Sequence, residues 1–155
     1  MAYLSWSADL DTGIAVIDGQ HRQIVEMINQ LHLAQQKGAR DGVALVIEEL
    51  VDYTTSHFAF EEAMLEEAGY VFSKAHKRVH DVFIKRVGDY RARFAQGEDI
   101  ADELMSLLGR WLFGHIRNDD QNYVPAVTAN LRRLAADKTE DGWLVRAKRR
   151  FFHAA

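Results

Sequence analysis

The 155-residue sequence has no cysteine, a single proline and no uninterrupted apolar run of membrane-spanning length. The missing cysteines exclude disulfides, thiolate metal sites, thiol nucleophiles and cysteine-held clusters, so any metal must be held by nitrogen and oxygen ligands. No window of about 18 apolar residues occurs, and the opening MAYLSWSADLDTG lacks a basic stretch leading into an apolar run. The expectation is therefore a cytoplasmic protein without a transmembrane segment. Phosphate-loop, dinucleotide, nucleophile-elbow and zinc-protease motifs are also absent, which sets those enzyme classes aside and leaves no catalytic residue to nominate.

What is present is the composition of one packed domain, 48% hydrophobic and 27% charged. The net charge of -4 hides an asymmetry. Residues 1–131 carry 12 Lys/Arg against 20 Asp/Glu, whereas 132–155 carry 7 against 3. An acidic body of this kind repels nucleic acid, and the basic tail reads first as a solvated terminal segment. The division expected is a domain over 1–131 and a basic extension over 132–155, packed on or flanking it.

Apolar residues recur at helical spacing in four long segments: about Asp18 to Lys37, Asp41 to Glu67, Ser73 to Phe94 and Asp99 to Tyr123. Asp18 and Ser73 are expected helix caps, and Gly38 and Gly69 expected stops. Pro125 is expected to disturb or restart the backbone, leaving 126–136 as a short fifth helix. Short connections make neighbouring helices antiparallel. The fold class is thus all-α: an up-down-up-down four-helix bundle, with an irregular N-terminal arm anchored by Trp6, Ile14 and Val16. Residues 143–152, WLVRAKRRFF, form a short basic C-terminal helical extension.

Seven histidines stand against this background, and five of them, His21, His57, His76, His80 and His115, fall on inward faces of all four helices. His76 and His80 are four residues apart, as are His57 and Glu61, so each pair aims at one point between helices. His115 and Asp120 are five apart, about 140° round an ideal helix, so both face inward only where the helix widens locally. Five buried imidazoles without partners would cost about 1–3 kcal/mol each. A shared metal centre satisfies them together, with Glu61 and Asp120 as further ligands and His32 and His153 outside the set.

Seven ligands exceed what one ion uses, so two metals are implied. If both carboxylates bridge and a solvent-derived oxo or hydroxo group bridges too, eleven of twelve octahedral positions are filled and one stays open for a small ligand such as dioxygen. Only a redox pair can bind dioxygen by giving one electron from each ion and recover both on release, which favours iron. Five neutral imidazoles with two carboxylates favour reversible binding over substrate oxidation.

The runs DGQH at 18–21, HFAFEE at 57–62, HKRVH at 76–80 and HIRNDDQNY at 115–123 closely resemble the hemerythrins, in particular the single-domain bacterial members called bacteriohemerythrins. The resemblance covers roughly residues 5–125. It implies a non-haem diiron oxygen-binding protein for transport, storage or local delivery, and not an enzyme. It assigns His76, His80 and His115 to a closed iron, His21 and His57 to the iron with the vacancy, and Glu61 and Asp120 to the bridge. Trp6, Ile14, Phe58, Trp111, Leu112 and Ile116 are then candidates for the apolar wall around the vacancy. Tyr123 and Asp18 are candidates to hydrogen-bond the ligands. Competing functions for the same centre are an oxidase or peroxidase and a nitric-oxide or oxygen sensor. Dioxygen is the expected ligand, with nitric oxide and small anions as alternatives. An oxygen-consuming enzyme is a candidate partner of a monomer.

Overall fold

A computed structural model describes residues 3–135 and 142–152, so His153 lies outside the described residues. The helices are α1 (Ala15–Lys37), α2 (Arg40–Glu67), α3 (Ser73–Ala95), α4 (Ala101–His115), α5 (Gln121–Ala135) and α6 (Trp143–Phe151). A π-helical turn, Ile116–Asp120, joins α4 directly to α5, and a 3-10 turn, Ala8–Leu10, lies in the arm.

Two starts differ from expectation. α1 begins three residues before Asp18, with Ile14 at its N-cap, because Asp18 acts from inside the first turn. Its carboxylate accepts hydrogen bonds from the Thr12 N–H (2.9 Å), the Thr12 hydroxyl (2.7 Å) and the Gly13 N–H (3.1 Å), closing the arm onto the helix. Asp18 therefore holds backbone and not a ligand. Ser73 is the first residue of α3 and not its cap, which is Phe72. Gly38 and Gly69 do end their helices, at φ 73° and 67°, left-handed values that favour glycine.

The larger correction concerns Pro125. No new helix starts after it; α5 runs through it. Proline costs one helical hydrogen bond, but Tyr123 and Val127, on either side, are both fully buried and hold the helix in place. The chain from Ala101 to Ala135 is consequently one helical run interrupted only by the wide turn.

The core is in two parts. One cluster holds Ile24, Ile28, Leu31, Ile47, Leu50, Phe58, Phe83, Leu104, Leu108, Leu112 and Ile116, among others. The second holds Ile14, Ile17, Phe60, Met64, Leu65, Tyr123, Val127 and Ala147. α1 passes from the second cluster to the first and α2 passes back, so the helices alternate in direction. The expected ligands fall where one cluster gives way to the other.

Burial of apolar surface fixes the rest. Leu10, unremarked in the sequence, is the fully buried anchor of the arm, while Trp6 and Val16 are half-buried. Leu4 is clamped by Asn29, whose side chain accepts from the Leu4 N–H (2.7 Å) and donates to its carbonyl (3.0 Å). Gly109 makes room for it: a Cβ there would stand 3.1 Å from the Leu4 side chain. α6 turns Trp143, Leu144, Ala147 and Phe151 toward the second cluster, where Phe60 meets Trp143 and Phe151. α5 crosses the expected 131/132 boundary without a break.

Candidate metal centre

The seven expected ligand side chains, His21, His57, Glu61, His76, His80, His115 and Asp120, meet in the layer between the two apolar clusters, each at most 5% exposed. α1 supplies His21. α2 supplies His57 and Glu61 one turn apart, and α3 supplies His76 and His80 in the same way. His115 ends α4 and Asp120 ends the π turn. That turn resolves the five-residue spacing, since a wider turn absorbs the extra residue and brings both side chains to one side. His115 Nε2 and Asp120 Oδ1 lie 3.1 Å apart.

Each carboxylate shows its two oxygens to different imidazoles. Glu61 Oε1 is 2.5 Å from His76 Nε2 and 3.2 Å from His80 Nε2, while Oε2 is 3.5 Å from His57 Nε2 and 3.9 Å from His21 Nε2. Asp120 Oδ1 faces His76 (3.2 Å) and His115, and Oδ2 faces His21 (3.2 Å). Donor atoms accordingly gather in two groups that share Glu61, one with His76, His80 and His115 and one with His21 and His57, each spanning no more than 4.8 Å.

The donor set fits cations better than it fits itself. Both nitrogens of His21 and both oxygens of Asp120 are buried without a hydrogen bond, despite their close approach, because the directions are wrong. His80 Nε2 and His115 Nε2 face each other at 3.0 Å, while the Nδ1–H of each donates outward, to Glu62 (3.0 Å) and Asp119 (2.7 Å). Two lone pairs at that distance require a cation between them. In the metal-free chain burial opposes charge on His80, but the Glu61 and Glu62 carboxylates beside it raise it. His57 is pushed down to about 3 by burial, against the pull of Glu61. Burial also opposes charge on His76, yet the Asp120 and Glu61 carboxylates, 3.2 and 2.5 Å from its Nε2, raise it to about 10. Burial and mutual repulsion favour protonated Glu61, but the hydrogen bond from His76 and the close approach of His80 hold its carboxyl well below the ordinary range. Asp120 is likewise lowered: burial opposes ionisation, and the close imidazole nitrogens of His115, His21 and His76, at 3.1–3.2 Å, outweigh it. Metal ions would displace such protons.

Around the ligands, Tyr123 donates from its hydroxyl to Glu61 Oε2 at 3.1 Å. Three partners escaped sequence reasoning: Gln20, whose side-chain carbonyl accepts from His57 Nδ1–H at 2.7 Å, Glu62 and Asp119. Their signal was adjacency, since each directly neighbours a ligand in the chain. Of the apolar candidates, Phe58 stacks on His80 (centroids 3.9 Å apart) and Trp111 on His115 (4.4 Å), with Phe83 stacked behind Trp111. Leu112 and Ile116 are buried in that cluster, and Ile14 in the other. Trp6 lies in the arm, its indole N–H donating to Asp11 (2.9 Å) beneath the Arg22 guanidinium. His32 stacks on Tyr3, apart from the ligand cluster.

Residues 12–127 match the family described as hemerythrin HHE cation binding domain. The chain is 61% identical over 152 residues to a bacteriohemerythrin of Pseudomonas aeruginosa strain PAO1, covering 98% of this chain and 99% of the relative. It is 59% identical to one of Stenotrophomonas maltophilia strain R551-3, over the same shares. A bacteriohemerythrin of Methylococcus capsulatus strain Bath is 31% identical over 131 residues, its full length, and leaves part of this chain unmatched. The crystal structure of a wild-type hemerythrin superposes with a TM-score of 0.78 at 29% identity, covering 82% of this chain and 99% of that one.

Proposed function

The chain belongs to the hemerythrin family, and from that premise we propose that the buried cluster is a diiron centre whose ligands are the seven residues described above. The protein binds dioxygen reversibly and acts as a carrier, not an enzyme. His76, His80 and His115 would hold one iron and His21 and His57 the other, with Glu61 and Asp120 shared between them and an oxo or hydroxo group supplied by solvent. One observation carries the assignment: each carboxylate turns one oxygen to the three-histidine group and the other to the group containing His21.

When bound, the two irons supply one electron each, which allows dioxygen to be taken up and given back. The chain supplies the surroundings. The side with two imidazoles offers one nitrogen donor fewer, so a small ligand would be taken there. Phe58, Trp111, Leu112 and Ile116 keep water from the ligand layer, which limits proton delivery and irreversible oxidation. Tyr123 holds Glu61 in place through its hydroxyl. Trp6 and Ile14 are assigned to the outer wall on the arm side. Nitric oxide and small anions would be taken on the same side.

Among the described residues no helix is long and apolar enough to cross a membrane. We place the protein in the cytoplasm as a monomer that delivers dioxygen to an oxygen-consuming enzyme, with residues 1–131 as the binding unit and 132–155 as its basic extension. Metal analysis with stopped-flow oxygenation of the reduced protein tests the central claim. Two irons per chain and a long-lived oxygenated form that releases dioxygen intact at low oxygen are expected. Zinc or manganese in the site, or rapid decay with peroxide release or substrate turnover, would overturn it.

A further inference from the structure

The outer nitrogens of the imidazoles are held unequally. On the three-histidine side, His80 Nδ1–H donates to the Glu62 carboxylate at 3.0 Å and His115 Nδ1–H to the Asp119 carboxylate at 2.7 Å. On the two-histidine side, His57 Nδ1–H donates to the neutral amide of Gln20 at 2.7 Å, and His21 Nδ1 is buried with no partner. The Gln20 contact is buried, whereas Glu62 and Asp119 are partly open to solvent. The three partners share one construction. Gln20 precedes His21, Glu62 follows Glu61 and Asp119 precedes Asp120, so each is fixed by a ligand's own place in a helix while its side chain holds a different ligand.

A carboxylate accepting an imidazole N–H makes the opposite nitrogen a stronger donor, and a neutral amide does so much less. Stronger donors favour the oxidised metal. We propose that this pattern divides the centre electronically: Glu62 and Asp119 enrich the three-histidine half, and Gln20 is a positioning residue that orients His57 Nε2 inward without adding charge to the half that takes the small ligand. The neutral partner keeps that half easy to reduce, so bound dioxygen is returned and the irons are not left oxidised. This rests on the ligand assignment proposed above. Gln20 serves orientation and electronics at once, because its carbonyl fixes the tautomer of His57 while its amide carries no charge.

The test is a matched set of charge exchanges in the full-length, iron-loaded chain. Gln20→Glu keeps the hydrogen-bond acceptor and adds charge; Glu62→Gln and Asp119→Asn keep an acceptor and remove it. Reduction potential is read by redox titration, alongside iron content, the visible spectrum and the rate of autoxidation. Gln20→Glu is expected to retain two irons, shift the oxidation equilibrium about tenfold toward the oxidised pair, equivalent to ~59 mV for a one-electron step, and speed autoxidation. Glu62→Gln is expected to shift it the opposite way. Gln20→Ala, which loses the acceptor, is expected to lose iron about tenfold more readily. A purely structural role predicts loss of iron in all variants with no opposed shifts. Potentials of Gln20→Glu and Glu62→Gln that stay within twofold of the parent equilibrium, or move together, overturn the inference. A parent chain that holds no iron or does not release dioxygen overturns the underlying assignment instead, so the two failures are distinct.

Discussion

Tyr123→Phe removes one oxygen atom from the fully buried interior and leaves the ring in place, so no cavity forms. What is lost is the hydrogen bond from the hydroxyl to Glu61 Oε2 at 3.1 Å. The nearest imidazole nitrogens to that oxygen, on His57 and His21, stand at 3.5 and 3.9 Å, beyond useful hydrogen-bond reach. In the metal-free chain the substitution therefore strips a buried carboxylate oxygen of its donor, and hydrogen bonds to charged groups are worth about 1.5–3 kcal/mol. A loss of ~2 kcal/mol corresponds to roughly thirtyfold in the folding equilibrium. With an m-value of about 1–3 kcal/mol/M, the urea midpoint should fall by about 1 M. In the iron-loaded protein the same oxygen faces a cation, so the loss should shrink to about 0.5–1.5 kcal/mol. Urea titrations of both forms, followed by circular dichroism, measure the difference. A metal-free loss below about 0.5 kcal/mol, or a larger loss in the loaded form, would show that Tyr123 is packing and not a partner of Glu61.

Chelation of iron should lower the melting temperature by about 10 °C, because ligand at a thousand times its dissociation constant contributes about 4 kcal/mol and each kcal/mol is worth roughly 2–4 °C at this size; a shift under 2 °C would deny that the metals bind only the folded chain. The chelated protein should be most stable near pH 6.5. His76, raised to about 10, contributes fully below 6.5 and loses that contribution as pH climbs toward 10, whereas His57, lowered to about 3, costs stability as pH falls from 6.5 toward 3, joined there by Glu61 and Asp120. Melting temperatures that rise steadily from pH 7 to 9 would contradict this sign. Leu112→Ala, which opens space beside the ligand layer, should cost about 2–5 kcal/mol and hasten autoxidation; an unchanged rate would make Leu112 ordinary core. Removing residues 142–155 uncovers Phe60 and should cost several kcal/mol, at about 1.5–3 kcal/mol for each large apolar side chain exposed. Calorimetry reads the loss, and iron analysis should still find two ions per chain; loss of iron would place α6 in the support of the centre.

Local spacing in the sequence determined most of the helices and the types of the candidate donors. Alternation of apolar and polar residues at 3.6 per turn is a property of single segments, so the first three long helices were legible within a few residues and the fourth at its start, but not where it ends. The His57–Glu61 and His76–His80 pairs were legible for the same reason, since residues four apart share a face. The absence of cysteine limited the donors to nitrogen and oxygen. Asp18 misled because a carboxylate near a helix start can bond forward as a cap or back to the preceding loop, and the choice depends on where the arm lies. Pro125 misled because its local cost is small beside the burial of Tyr123 and Val127.

Only the tertiary structure decided how the helices face one another. The His115–Asp120 spacing stood as a difficulty in one dimension, and the π turn settles it, a backbone choice stabilised where both side chains point at buried partners. The division of each carboxylate between two groups of imidazoles, and the reach of Gln20 to His57, of Glu62 to His80 and of Tyr123 to Glu61, join different helices. Such contacts depend on the axial register and rotation of packed helices, to within about an ångström. Register comes from the interlocking of two apolar clusters drawn from the whole chain, and no single segment carries that information.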